Sequence, residues 1–166
     1  MWIYGAGGHG KVVATLFSAE HIIDDARPDL PWKDEYIREH GVVAIGDNRT
    51  RQRVVQRLLK IGACFVQGHM WHLDNMLGEM GEGCVVMRGA VVQVGTIMGN
   101  HVIVNTNATV DHDCRIGDFA HVAPGAVLCG NVEVGEGALI GAGAVLCPGV
   151  KVPPWTLVKA GTRVPE

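Results

Sequence analysis

The chain has 166 residues, 48% of them apolar, and 14 Lys and Arg against 17 Asp and Glu give a formal charge of −3. That length holds one domain or two small ones, and the apolar share supports a packed core and excludes a disordered chain. The charge gives no footing for a binder of nucleic-acid backbones, and no apolar run is long enough for a transmembrane helix. The opening Met1-Trp2-Ile3-Tyr4-Gly5 lacks a basic stretch followed by an apolar one, so a cytoplasmic protein is expected. The five cysteines form no C-x-x-C pair and read as small fillers in a reducing compartment.

Trp2-Ile3-Tyr4 predicts a short strand that runs into Gly5-Ala6-Gly7-Gly8-His9-Gly10, a G-x-G-x-x-G pattern. A helix follows, with Val12, Val13, Leu16 and Phe17 assigned to one face. Strand, glycine turn and helix are the context in which this motif cradles phosphates at a helix N-terminus. A second strand ends at Ile23-Asp24-Asp25, where an acid can bind a ribose or a base. A third, Val42 to Ile45, leads through Gly46-Asp47-Asn48 to a helix near residues 49–60, and Cys64 to Val66 reads as a fourth strand. This is at most half of a dinucleotide fold, so one nucleotide fits better than NAD. Arg49, Arg51, Arg53, Arg57 and Lys60 on the second helix read as a solvated basic face. His69, His72 and Asp74 in the following segment read as ordinary linker residues, since no fourth metal ligand is suggested.

Most of the 23 glycines fall beyond residue 80, which prompts a search for a short period. Stepping by six from Met80 to Val152 meets an aliphatic residue or Met every time. Four places after each, from Cys84 to Val150, the residue is small or β-branched. Glycine recurs directly after the aliphatic residue at 81, 99, 117, 135 and 141. The pattern predicts a triangular coil: each hexad makes one strand and one corner, and three hexads close a turn that stacks on the next by parallel pairing at about 4.8 Å. The expected organisation is an αβ unit over 1–67, a connector over 68–79, a parallel β-helix over 80–152 and a tail over 153–166.

Within the coil His112 falls at an outward corner beside Asp113, an arrangement suited to a general base or equally to a solvated surface histidine. Gly130 stacks one turn above His112, where it would leave room for a ligand and offer a backbone N–H to an oxyanion. Cys129 and Cys147 should be stacked neighbours, poorly oriented for a disulfide.

Ile3 to Val12, the Asp24-Asp25 pair, Ala44-Ile45-Gly46-Asp47-Asn48 and the run from Asn105-Thr106 to His112-Asp113-Cys114 together resemble the sugar O-acyltransferase family. Its members include sialic acid O-acetyltransferases and PglD-type nucleotide-amino-sugar N-acetyltransferases. The resemblance covers nearly the whole chain. It implies an α/β half-Rossmann-like unit followed by a left-handed β-helix, a homotrimer, and acetyl-CoA held between neighbouring β-helices without a metal. It further implies His112 as the base and Asp113 as its support, with His121 and the Gly130 amide on the acetyl-CoA side and Asn105 on the substrate side. Gly7, Gly8, His9 and Gly10 would meet the diphosphate of a UDP- or dTDP-linked sugar, and Asp24 and Asp25 its nucleoside. The terminal Ala160-Gly161-Thr162-Arg163 departs from the family's usual Gly-x-Pro-Ala-Arg/Lys ending.

The expected reaction is acetylation of the C4 amine of a nucleotide-linked 4-amino-4,6-dideoxy or trideoxy sugar. Sialic acid O-acetylation is the nearer alternative. A γ-type carbonic anhydrase would share the β-helix and use interfacial histidines on zinc, and a non-catalytic scaffold binding a nucleotide sugar is the third.

Overall fold

A computed structural model of the protein describes residues 1–66 and 79–165, which fall into two compact units, Met1–Val66 and Gln67–Glu166. His69, His72, Asp74 and the rest of the connector before Glu79 lie outside the described residues.

The first unit is a four-stranded parallel sheet in the order β2-β1-β3-β4. In chain order it runs β1 (Trp2–Tyr4), α1 (Gly8–Phe17), β2 (His21–Ile23), a 3-10 turn (Asp34–Arg38), β3 (His40–Val43), α2 (Asn48–Lys60) and β4 (Cys64–Phe65). Trp2, Ile3, Val42 and Val43 are at most 1% exposed, as residues of central parallel strands covered on both faces should be. The N-terminal end of α1 presses on the loop after β1: a Cβ on Gly10 would sit 1.8 Å from the Gly5 carbonyl oxygen. The contact line therefore runs through Gly10 and Val13, and Val12, expected on the buried face, is left 48% exposed. The helix α2 starts at Asp47, whose carboxylate accepts from the Thr50 amide at 2.8 Å as an N-cap.

The second unit is the parallel β-helix. Fifteen two-residue strands stack into three five-stranded parallel sheets, each strand pairing with the one 18 residues away. The first face comprises Glu79–Met80, Ile97–Met98, Arg115–Ile116, Glu133–Val134 and Lys151–Val152. The second comprises Val85–Val86, Ile103–Val104, His121–Val122, Leu139–Ile140 and Leu157–Val158, and the third Val91–Val92, Thr109–Val110, Val127–Leu128, Val145–Leu146 and Arg163–Val164. The second residue of each strand points inward, and this row is at most 3% exposed from Val104 to Leu146. Ala108, Cys114, Ala120, Ala126, Ala138 and Ala144 fill the bends at 0% exposure.

The coil does not stop at residue 152. Leu157–Val158 pairs with Leu139–Ile140 and Arg163–Val164 with Val145–Leu146, so the expected tail is further β-helix. Val158 and Val164 keep the six-residue register. Pro153-Pro154 obscured it by occupying the slots that hold glycine and its successor elsewhere.

A second rule governs the corners. Every sixth residue from Gly83 to Gly161 has a positive φ. Six of these positions are not glycine, and Asn107, Asp113 and Asn131 belong to the residue types that tolerate this region. The other three, His101, Phe119 and Trp155, lie on one corner with Gly137 between the last two, and the His101 and Phe119 rings stack at 5.2 Å and 14°. The contact between the His101 and Phe119 rings offsets backbone strain at those two residues, which costs on the order of 1 kcal/mol each.

Candidate active site

The glycine loop and the loop after β3 meet at the switch point of the sheet. The connections leaving β1 and β3 go to opposite sides, so the C-terminal ends of these adjacent strands open a crevice. It is a cleft of about 470 Å³ lined by Tyr4, Gly5, Gly7, Gly8, His9, Asp24, Asp25, Ala26, Ala44, Ile45, Gly46, Thr50 and Val54. Gly7 and Gly8 are exposed, and a Cβ on either would meet nothing within 4 Å. Their amides lie at the N-terminus of α1, where unsatisfied N–H groups and the helix dipole favour an anion.

The two acids after β2 have separate tasks. Asp24 accepts from the Ala6 amide at 2.7 Å and the Ala26 amide at 2.9 Å, so it shapes the glycine loop. Asp25 is 60% exposed and pairs with Arg57 at 2.6 Å, while Arg57 also donates to the Tyr4 hydroxyl. The Arg57 guanidinium holds the Asp25 carboxyl below its ordinary range. Burial, and then the Asp25 carboxylate, pushes the Tyr4 phenol up to about 12. His9 is pushed down to about 4, by burial first and the Arg51 charge second, so it is neutral at physiological pH.

Of the basic residues of α2, Arg49, Arg53, Arg57 and Lys60 are exposed, as expected, and Arg51 departs from that face. Arg51 is 1% exposed, and Arg57 turns to the cleft acids. The spacing of these arginines covers more than one side of the helix, a sign available in the sequence at 3.6 residues per turn.

On the β-helix the proposed catalytic pair is assembled at the corner between the third and first faces. His112 Nδ1 lies 2.8 Å from Asp113 Oδ2, and its backbone amide donates to Asp111 Oδ1 at 2.8 Å. The Asp113 hydrogen bond raises the His112 pKa, and Asp111 adds to it. Asp111 was not singled out in the sequence. Its place one residue before the histidine is the signal for this turn.

Gly130 stacks on His112 as the 18-residue turn requires, but its missing side chain makes room for the histidine ring itself. A Cβ there would lie 2.6 Å from both Cε1 and Nε2 of His112. Among the described residues no backbone acceptor takes the Gly130 amide proton.

Asn105 and His121 are brought together at the second face, with Asn105 Nδ2 3.0 Å from His121 Nε2. Asn105 Oδ1 accepts from the Thr106 amide at 2.8 Å, which fixes the amide's orientation. Its Nδ2 therefore donates, and the His121 ring proton sits on Nδ1. Cys129 and Cys147 follow paired strands, and both are free thiols.

Among the described residues, the group of side chains close enough to share a metal ion is Glu20, His21 and Glu39, on the αβ unit. His112 and His121 are not in it. Among the described residues no helix is long and apolar enough to cross a membrane.

Comparison with known proteins gives the family. Residues 1–58 match the PglD N-terminal domain family and residues 113–148 the bacterial transferase hexapeptide family. The acetyltransferase domain of PglB from Neisseria gonorrhoeae is 35% identical, with a TM-score of 0.84 over 98% of this chain and 89% of that one. That domain has also been solved with acetyl coenzyme A. A mutant of perosamine N-acetyltransferase from Caulobacter crescentus, in complex with CoA and GDP-perosamine, is 34% identical with a TM-score of 0.86 over 98% of this chain and 87% of that one. WeeI from Acinetobacter baumannii is 25% identical, with a TM-score of 0.69 over 98% and 94%. With a glycine-loop αβ unit, a left-handed hexapeptide β-helix and relatives of this identity over nearly their whole length, the chain belongs to the PglD-type sugar acyltransferases and is an acyl-transferring enzyme.

Proposed function

We propose that the protein transfers the acetyl group of acetyl-CoA to the C4 amine of a nucleotide-linked 4-amino-4,6-dideoxy or trideoxy sugar. The observation that carries this reading is the His112–Asp113 pair at 2.8 Å with the side-chain space of Gly130 lying against the ring. With Nδ1 donating to Asp113, Nε2 is left as the proton acceptor. The amine attacks the thioester carbon, His112 Nε2 takes the ammonium proton, and Asp113 supports the imidazolium. The Gly130 N–H serves the oxyanion, and collapse of the tetrahedral intermediate expels the CoA thiolate, which is then protonated. No thiol or hydroxyl nucleophile is needed. In the αβ unit the Gly7 and Gly8 amides serve the diphosphate and Asp25 the nucleoside, while Asp24 and Gly10 set the loop.

A homotrimer is the assembly that this surface supports. The outward row of the first face carries Glu79, Arg115, Glu133 and Lys151, with Lys151 and Glu133 paired at 2.8 Å, and suits solvent. The outward row of the third face is largely apolar and open, with Val91, Val127 and Val145, and on the second face Leu139 and Leu157 remain open while Val85 and Ile103 are already buried within the chain at 1% exposure. Packing the third face of one copy on the second face of the next about a threefold axis brings His112, at the exit of its face, toward the partner's entry strand. That strand begins with the histidine equivalent to His121. Acetyl-CoA and nucleotide sugars are cytoplasmic metabolites, and the reaction is placed there.

The test is thiol release from acetyl-CoA with a panel of UDP-, dTDP- and GDP-linked 4-amino sugars beside free sialic acid. The guanosine arm is included because the Caulobacter relative was solved with GDP-perosamine. Turnover with one amino sugar and none with sialic acid is expected. Release with sialic acid alone would overturn the N-acetyl reading.

A further inference from the structure

The acetyl-transfer chemistry leaves Arg51 unexplained. It is among the largest fully buried side chains of the chain, at 1% exposure. Its Nη1 donates to the carbonyls of Ile45 at 2.8 Å and Gly46 at 3.4 Å, and Nη2 to Asn48 Oδ1 at 2.9 Å. The guanidinium thus grips the turn between β3 and α2 from behind. That turn is one wall of the cleft whose opposite wall is the Gly7-Gly8-His9 loop.

We propose that Arg51 is a positioning residue for the diphosphate of the nucleotide sugar, holding the Ile45–Gly46 wall and supplying a fixed positive field across the cleft without touching the ligand. The inference rests on the nucleotide-sugar reading above. Two independent observations carry it.

The first is geometric. A planar fork gripping two successive carbonyls and an amide oxygen fixes a turn in a way that a point-charge ammonium cannot. The second is electrostatic. Desolvating a guanidinium is costly, and an apolar side chain could fill the same volume, so the charge has a use beyond packing. His9, on the opposite wall, already registers that charge, which contributes to its low pKa. A charge felt by His9 is felt more strongly by a diphosphate at the N-terminus of α1, because the ligand carries more than one negative charge.

The experiment is calorimetric binding of UDP, dTDP and GDP to the full chain, followed by the nucleoside and monophosphate of whichever binds best. Wild type is compared with Arg51→Lys and Arg51→Met, each first checked for a cooperative melt. Arg51→Met is expected to weaken diphosphate binding by about 10- to 100-fold, monophosphate less, and nucleoside by under about threefold. Arg51→Lys is expected to fall between wild type and Arg51→Met. In turnover the loss appears in KM for the nucleotide sugar, with kcat and the KM for acetyl-CoA unchanged. A merely structural role would weaken nucleoside and diphosphate equally, and that result overturns the proposal.

Should neither variant fold, the wild type carries the test. His9, followed by NMR, is expected to titrate near 4 in the free protein and to move upward when the diphosphate binds. An unmoved His9 places the ligand outside this field and overturns the inference alone. If no nucleoside diphosphate binds wild type, the nucleotide reading falls and the inference falls with it.

Discussion

Substituting Gly130 by alanine separates two uses of that residue. Its φ is not positive, so alanine fits the backbone, and the amide N–H remains. What changes is space: the new Cβ would stand 2.6 Å from His112 Cε1 and Nε2, against an ordinary contact of at least 3.4 Å. The ring must retreat by about 0.8 Å or swing out, and because His112 is half exposed the fold can accommodate this cheaply. Displacement of that size spoils the 2.8 Å bond to Asp113 and the line from Nε2 to the attacking amine. A misplacement near 1 Å costs on the order of 10²-fold in kcat, or about 2.7 kcal/mol of barrier. The assay is thiol release at saturating acetyl-CoA and acceptor sugar, with thermal melts run alongside. Gly130→Ala is expected to lose about 100-fold in kcat with a nearly unchanged melting midpoint. The same substitution in a His112→Ala background should cost little more, since both act through one ring. A kcat within about threefold of wild type, or an equal further loss without the histidine, would refute the reasoning.

Three other outcomes follow from the same geometry. As the proposed base, His112 would work only when neutral, and Asp113 with Asp111 raises its pKa, so the acidic limb of kcat/KM should lie above pH 6.5, the unperturbed value. Asp113→Asn should move that limb to lower pH, and an unmoved limb would show that Asp113 is not its cause. His9 is held near 4 in the folded chain against an ordinary histidine value of 6.5, so the unfolded chain binds the extra proton between those values. The αβ unit should therefore lose roughly 3 kcal/mol as pH falls from 6.5 to 4, and His9→Gln should flatten that slope in urea melts at several pH values. Leu128→Ala empties a fully buried inner position and should cost about 3 kcal/mol, read as a lower denaturation midpoint.

The β-helix was legible because one hexad repeats until chance is excluded, and Val158 and Val164 continued the rule past the boundary drawn for it. The corner rule was harder to see. Glycine, asparagine and aspartate announce a positive φ, but His101, Phe119 and Trp155 do not, and the stacking of His101 on Phe119 shows only once the coil is wound. In the αβ unit the loop sequence pointed to the cleft, yet the division of labour between Asp24 and Asp25 depends on which way each carboxylate turns. Arg51 was misjudged because a basic residue in a basic helix is usually solvated; burial is set by the carbonyls it grips, which lie three to six residues upstream.

The stacking of His112 beneath Gly130 also sets a grammar for length change. Two residues are vertical neighbours only if 18 positions separate them, and a face recurs only after three hexads. Adding or losing a whole coil beyond Leu146 leaves the His112 corner untouched. Losing a single hexad between Asp113 and Gly130 would instead bring Glu136 over the imidazole, setting a carboxylate where the ring needs empty space. Such a protein could still wind and bury its core, but every later residue would have rotated one face out of phase. The length between His112 and Gly130 is therefore fixed, and the length beyond Leu146 is free to change by whole coils of 18.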